Sequence, residues 1–255
     1  MKRDDKRGQV SIFIIIAIIV VVLGIIIYLV YPRIGIDIGD ETQNPSAFLQ
    51  SCLEDEISTA VETLSLQGGS LEPEHYVLYD DEKIEYLCFT EEYYKPCIVQ
   101  QPLLKKHIED EIKSEIKAEV NGCLDSMKES YEKKGYDVGL IKGDFVIELL
   151  PKRIVTTLDS TLTLTKGGSE THDLFRVVLN NNLYELVSIT DSIISWETRY
   201  GDAETTLYMN YYHDLKVEKK KQTDGTTIYV LTDLNNEKVF QFASRSVAWP
   251  PGYGG

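Results

Sequence analysis

Residues 45–66 read PSAFLQSCLEDEISTAVETLSL. Asn44 ahead of Pro45 pairs an N-cap residue with proline at the first helical position, a strong start signal. Leu49, Cys52, Leu53, Ile57, Ala60, Val61 and Leu64 then step by three or four, which gives one buried stripe. Gly68 and Gly69 stop the helix near Leu66. Pro102 opens a second, longer helix that runs to about Lys134 and ends at Gly135. Its apolar residues, from Leu104 through Ile108, Ile112, Ile116, Val120 and Leu124, recur every fourth position. At 3.6 residues per turn that stripe drifts by about 40° per step. The second helix therefore wraps its partner obliquely or kinks near Asn121-Gly122. Its charged residues, Lys105, Glu109, Lys113 and Glu115 among them, read as a solvated face.

Between the helices, His75–Phe89 predicts a hairpin, with Tyr76–Tyr79 and Ile84–Phe89 joined at Asp80-Asp81. Beyond them the pattern turns to strands. Asp144–Leu150 and Arg153–Thr165 come first, and Ile154, Leu158, Leu162 and Leu164 share one face by period two. Lys166-Gly167-Gly168-Ser169 turns the chain into Asp173–Leu179. Asn180–Asn182 then cap a helix to Tyr200. Leu215–Gln222 and Thr226–Asp233 form a hairpin around Asp224-Gly225, and Lys238–Trp249 supplies a further strand. Helices first and strands later predict an α+β fold. It comprises an N-terminal transmembrane helix, a two-helix disulfide-linked region, then an antiparallel β-rich region with one further helix.

Four cysteines admit three connectivities. Cys52 and Cys123 each lie on or beside the stripe of one helix, which favours pairing them. Cys88 then pairs with Cys97 across nine residues. Buried reduced thiols remain an alternative, as does a metal site, although no Cys-x-x-Cys spacing or nearby histidine pair supports zinc.

Residues 10–31 read VSIFIIIAIIVVVLGIIIYLVY, 22 residues without a charge. As a helix that run matches a hydrocarbon core of about 30 Å. Lys2, Arg3, Lys6 and Arg7 precede it, which places the N-terminus in the cytoplasm and the C-terminal domain outside. The expected segments are a basic leader over 1–8, a transmembrane helix over 9–31, and a tether over 32–44. A helical region with a hairpin follows over 45–142 and a β-rich region over 143–255. The 255 residues carry 26 Lys+Arg against 41 Asp+Glu, a net charge of −15. Without the leader's four basic and two acidic side chains, the rest keeps 22 basic and 39 acidic. That balance argues against nucleic acid as a partner, since phosphate binding needs a basic face.

The run Lys6-Arg7-Gly8-Gln9-Val10-Ser11-Ile12-Phe13, leading into the apolar stretch, resembles the class III signal peptide of archaeal type IV pilin-like proteins. The resemblance implies a prepilin peptidase as partner and a cut between Gly8 and Gln9. Two departures stand out. Phe13 occupies the position where many pilins carry the glutamate used in filament assembly, and Pro32, Gly35 and Gly39 interrupt any helix beyond the span. The chain as a whole is also similar to uncharacterised membrane-anchored proteins of archaea with small genomes. They share the Gly-Gln-Val-Ser-Ile-Phe leader and two Cys-Leu helices, matched here at Cys52-Leu53 and Cys123-Leu124, with Gln67-Gly68-Gly69 closing the first.

Motifs for catalysis are absent: no phosphate loop, no His-Glu-x-x-His, no Gly-x-Ser-x-Gly. His75, His107, His172 and His213 are scattered and read as packing or surface residues. Gln67-Gly68-Gly69-Ser70 could cradle an anion but reads first as a helix stop, and Asp80-Asp81-Glu82 could hold a hard cation such as Ca²⁺ but reads first as a solvated turn. Lys219-Lys220-Lys221 reads as a guarded strand edge. The tail Ala248-Trp249-Pro250-Pro251-Gly252-Tyr253-Gly254-Gly255 suits a groove or a frayed end. No cofactor is expected. The sequence thus predicts an extracytoplasmic, membrane-anchored structural or interaction protein of the cell surface, pilin-like in its leader. Its partners are the lipid bilayer and other surface proteins or copies of itself. The alternative is an envelope-associated hydrolase with a dispersed site, and a third reading is a binding module for a cationic ligand.

Overall fold

The helix expected at Pro45 forms as α1, Pro45–Leu66, and its cap is the predicted one: Asn44 Oδ1 accepts from the backbone amides of Ser46 and Ala47. A computed structural model describes residues 44–248, together with Val21. The hairpin follows as β1, Tyr76–Tyr79, and β2, Glu82–Phe89. Asp80 and Asp81 both have positive φ (49° and 69°), the conformation a two-residue hairpin turn requires. A short β3, Ile98–Val99, lies on β2.

The second helix is not continuous. It divides into α2, Leu104–Glu115, and α3, Lys117–Lys133, at Ile116 (φ −82°, ψ 2°). The break falls five residues ahead of the expected kink at Asn121-Gly122. A stripe stepping by four has drifted by more than a quarter turn after three steps. Turning the chain at Ile116 lets Val120, Cys123, Leu124 and Met127 face the core again.

Next come β4, Asp137–Ile141, β5, Phe145–Leu150, β6, Arg153–Thr165, and β7, Ser169–Asn180. β4 pairs with residues 161–165 of β6 and β5 with residues 153–158, while β7 runs along the other side. Residues 137–150 are thus one ribbon with a bulge, where residues 142–144 stand against 159–160. The chain ends with α4, Leu183–Tyr200, α5, Thr206–Tyr211, β8, Leu215–Lys221, β9, Thr226–Asp233, and β10, Val239–Arg245.

The second sheet has the order β1-β2-β10-β9-β8, with β10 parallel to β2 and its other pairs antiparallel. Within residues 143–255 every strand pair is antiparallel, as expected; the parallel pair joins β10 to β2 of the preceding region. β2 and β10 come from opposite sides of residue 142. Residues 44–248 belong to one compact unit. α1 packs on β7 of one sheet and on β10 of the other. Leu49, Leu53, Phe175, Tyr229, Phe240 and Phe242 accordingly lie in one shared core.

The membrane-spanning part of the expected fold class is corrected. Among the described residues no helix is long and apolar enough to cross a membrane. The longest, α1, carries Glu54, Asp55, Glu56 and Glu62, and α4 carries Glu185, Asp191 and Arg199, so each has a polar face. The expected leader, the run 9–31 apart from Val21, the tether up to residue 43, the Gly8–Gln9 junction and the tail from residue 249 lie outside the described residues.

Disulfides join Cys52 of α1 to Cys123 of α3, and Cys88 of β2 to Cys97 just before β3. These are the two pairs the sequence favoured, and the chain's four cysteines leave none free. Two such bonds fit an oxidising, extracellular-type environment.

Candidate functional site

The Gly pair ends α1 as expected, with the Gly69 amide donating to Leu64 O at 2.8 Å. It also does something the sequence did not reveal. Gly68 (φ +82°) lies against β2 so closely that a Cβ there would stand 3.0 Å from Glu85 Cβ and 3.2 Å from Glu85 N and O. A Cβ on Gly69 (φ +101°) would meet Leu104 and Ile108 at 3.1 Å. Only glycine takes both the positive φ and the close approach without strain. The chain leaving α1 is therefore pressed between β2 and α2, and Ser70 is delivered to a fixed place.

There the Ser70 hydroxyl donates to the Glu85 carboxylate of β2, and its Oγ lies 2.7 Å from Nε2 of His107 on α2. The neighbouring Leu71 amide donates to Glu111 Oε2 at 2.9 Å. These residues form the floor of an open cleft of about 800 Å³ between α1, β2 and α2. Its rim adds Glu56, Glu72, Glu74, Glu115 and Glu119, so seven glutamates face one space. The described lining contains no lysine or arginine.

Glu85 is 7% exposed. Burial pushes its carboxyl above the ordinary carboxylate range, and the hydrogen bond from Ser70, the His107 ring and Gln101 pull it only partly back. Folding then holds a proton that the unfolded chain has already released. The resulting stability is present in full below the ordinary glutamate pKa and is lost as pH rises through the raised one. Glu85→Gln keeps an acceptor for Ser70 and removes this titration. The expected result is a melting temperature that falls less between pH 4.5 and 7 than in the unsubstituted protein. An unchanged pH slope in paired thermal melts would count against it.

His75 packs on Tyr86 and Phe89, with ring centroids 4.9 and 4.1 Å away, and borders the same cleft. Two of the four scattered histidines thus converge on it. Ser70, Glu85, His75 and His107 are separated by up to 37 residues on different elements, and no local spacing marks them as a group. His172 stands 3.0 Å from Glu170 on β7, and His213 borders a different cavity. Asp80 and Asp81 form the exposed hairpin turn. Lys219 and Lys221 both pair with Asp202. Among the described residues no group of three His, Cys, Asp or Glu side chains is placed to hold a metal ion.

The cleft can do two things chemically. Its glutamates can neutralise a cationic group, and the Ser70 hydroxyl, which donates to Glu85 and accepts at the His107 ring, links a carboxyl to an imidazole. No family model, curated protein or solved structure matches the chain.

Proposed function

We propose that the chain is an extracytoplasmic structural or interaction protein of the cell surface, and that its glutamate-lined cleft receives a basic segment of a partner. The observation that carries this reading is the seven glutamates around one cleft with no lysine or arginine to answer them. Clustered charge of one sign in a concave site attracts the opposite charge and speeds its arrival. The finer location, the outer face of a cell membrane with the chain attached to the bilayer, rests on the apolar composition of residues 10–31. Cleavage between Gly8 and Gln9 by a prepilin peptidase, and assembly with other surface proteins or further copies, rest on the leader's resemblance to pilin-like signals.

A second reading, an envelope-associated hydrolase, is favoured by Ser70 Oγ lying 2.7 Å from His107 Nε2. Against it, the same hydroxyl is engaged by Glu85, and a carboxylate on the serine does not orient the imidazole as the third member of a triad does.

One preparation of the full-length protein tests both. Under the first reading it binds hexalysine, and binding weakens with added salt and by about tenfold in Glu56→Gln/Glu119→Gln, a double change at the rim. Salt-independent binding, or none, sinks the interaction reading. Turnover of p-nitrophenyl acetate that disappears in Ser70→Ala would establish the second reading instead.

A further inference from the structure

The second sheet ends in β1 on one side and β8 on the other. An outer strand leaves a row of unpaired backbone groups, and proteins usually guard it. β8 is guarded by Lys216, Lys219, Lys220 and Lys221. In the first sheet, Gln50 of α1 covers Val178 of β7, donating to its carbonyl at 3.0 Å and accepting from its amide at 2.9 Å. Glu109 of α2 likewise accepts from the Leu149 amide of β5 at 2.9 Å. β1 has no such cover among the described residues, and its four residues, Tyr76-Val77-Leu78-Tyr79, carry no charge.

The register decides which of its groups are open. The His75 carbonyl accepts from the Tyr86 amide at 2.9 Å, so His75 and, by alternation, Val77 and Tyr79 turn their backbone groups toward β2. Tyr76 and Leu78 turn theirs outward, and among the described residues no hydrogen bond reaches those two amides and two carbonyls. Their side chains are accessible too, 38% and 66% exposed. Tyr76 lies opposite Glu85, so the open edge begins at the wall of the acidic cleft, which Glu74 and His75 border.

An open edge of this kind accepts an extended segment as a further strand, with main-chain bonds for affinity and side-chain pairs for choice of partner. The flanks set the charge. Glu72 and Glu74 precede β1, and Asp80, Asp81 and Glu82 follow it, against Lys83 of β2, whose ammonium lies over the Tyr76 ring at 5.0 Å. Those flanks disfavour a second copy. An antiparallel ribbon that sets Tyr76 against Leu78 of the copy also sets Glu74 against Asp80 at both ends, and like charges directly opposite repel. A segment with Lys or Arg at both ends of an apolar stretch meets the same carboxylates favourably. Glu74 and Asp80 stand about 20 Å apart along the strand, which fixes the spacing of its two ends. We propose that β1 takes up an extended, basic-ended segment of a partner protein as an added antiparallel strand. The inference rests on the reading of the acidic cleft for the sign of the partner's charge and adds how the partner's backbone is held.

The test is isothermal titration of the full-length protein in detergent with the peptide Lys-Lys-Thr-Val-Thr-Val-Thr-Lys-Lys. Its valines come opposite Tyr76 and Leu78, and its inner lysines opposite Glu74 and Asp80. Two modified forms of equal charge separate backbone from charge. One is N-methylated at both valines, whose amides point at β1, and the other at the two outer threonines, whose amides point away. The unmodified peptide and the threonine form bind with a Kd of about 100 μM or tighter, and the valine form binds about tenfold more weakly or worse. Leu78→Pro removes an outward amide that β2 does not use and weakens the unmodified peptide by about tenfold. Should that variant fail to fold, the methylated pair still decides. Equal binding of the two methylated forms overturns the proposal, and salt-dependent binding of hexalysine then leaves the reading of the cleft intact. Failure of all three peptides where hexalysine binds has the same meaning, and failure of hexalysine as well sinks both. A dimer of the free protein that Leu78→Pro dissociates makes a second copy the occupant and overturns the proposal too.

Discussion

Replacing Cys52 and Cys123 together by alanine lowers the unfolding free energy by about 4 kcal/mol, and replacing Cys88 and Cys97 together lowers it by about 2.5 kcal/mol. The difference comes from chain entropy: the first bond closes 71 residues and the second closes 9. A cross-link restrains the unfolded chain more when it closes a longer loop. Against a typical total of 5–15 kcal/mol, losing the first bond removes a large share of the stability. The position of the bond reinforces the effect. It ties α1, which packs on both sheets, to α3, which packs on α1 and β4. The short bond acts locally. It fastens β3 to β2 and so holds the loop carrying Tyr93 and Tyr94, which are 70% and 65% exposed. Its loss should open that loop to proteolysis before the global transition. Urea unfolding of the two double variants measures both numbers, and equal or reversed losses would show that the loop-length argument fails here.

The contrast between these bonds and the acidic cleft shows what a single sequence carries. Elements with local signals are present close to where the sequence places them. Asn44-Pro45 starts α1, Asp80-Asp81 turns β1 into β2, and Lys166–Gly168 turns β6 into β7. Even the disulfide pairing was legible, because Cys52 and Cys123 each lie on or beside the stripe of one helix, which leaves Cys88 and Cys97 to each other. Local patterning does not record which distant elements meet. The parallel pairing of β10 with β2 joins residues more than 150 positions apart, and no period in either strand announces it. Ser70, Glu85 and His107 meet only because Gly68 and Gly69 press their loop between β2 and α2. The glycine pair was visible as a helix stop, while its second role depends on a neighbour the sequence does not name. The short α5, six residues long, offers too few turns for a periodic stripe.

Those long-range pairings also decide where the molecule tolerates least change. Gly143→Ala is expected to cost about 3–5 kcal/mol, at the upper end for a single added methyl group. Gly143 sits in the bulge between β4 and β5, where three residues oppose Asp159 and Ser160 of β6. A Cβ there would lie 1.7 Å from the Asp159 carbonyl oxygen and 2.8 Å from its carbon. Both are backbone atoms, so no side-chain rotation relieves the overlap. Asp159 is itself held, because its amide donates to Asp144 O at 2.9 Å, and Ser160 Oγ lies 3.3 Å from the Gly143 amide. Moving the two chains apart breaks the first of these bonds and strains the pairing of β6 with both β4 and β5. Gly122 supplies the control. It lies in α3, and a Cβ added there meets nothing within 4 Å. Gly122→Ala should stabilise the protein by about 0.5–1 kcal/mol through helix propensity alone. The same methyl group thus raises the urea midpoint at one glycine and lowers it steeply at the other. Similar midpoints for the two variants would mean that the bulge yields, and that Asp159 is not fixed by the bonds around it.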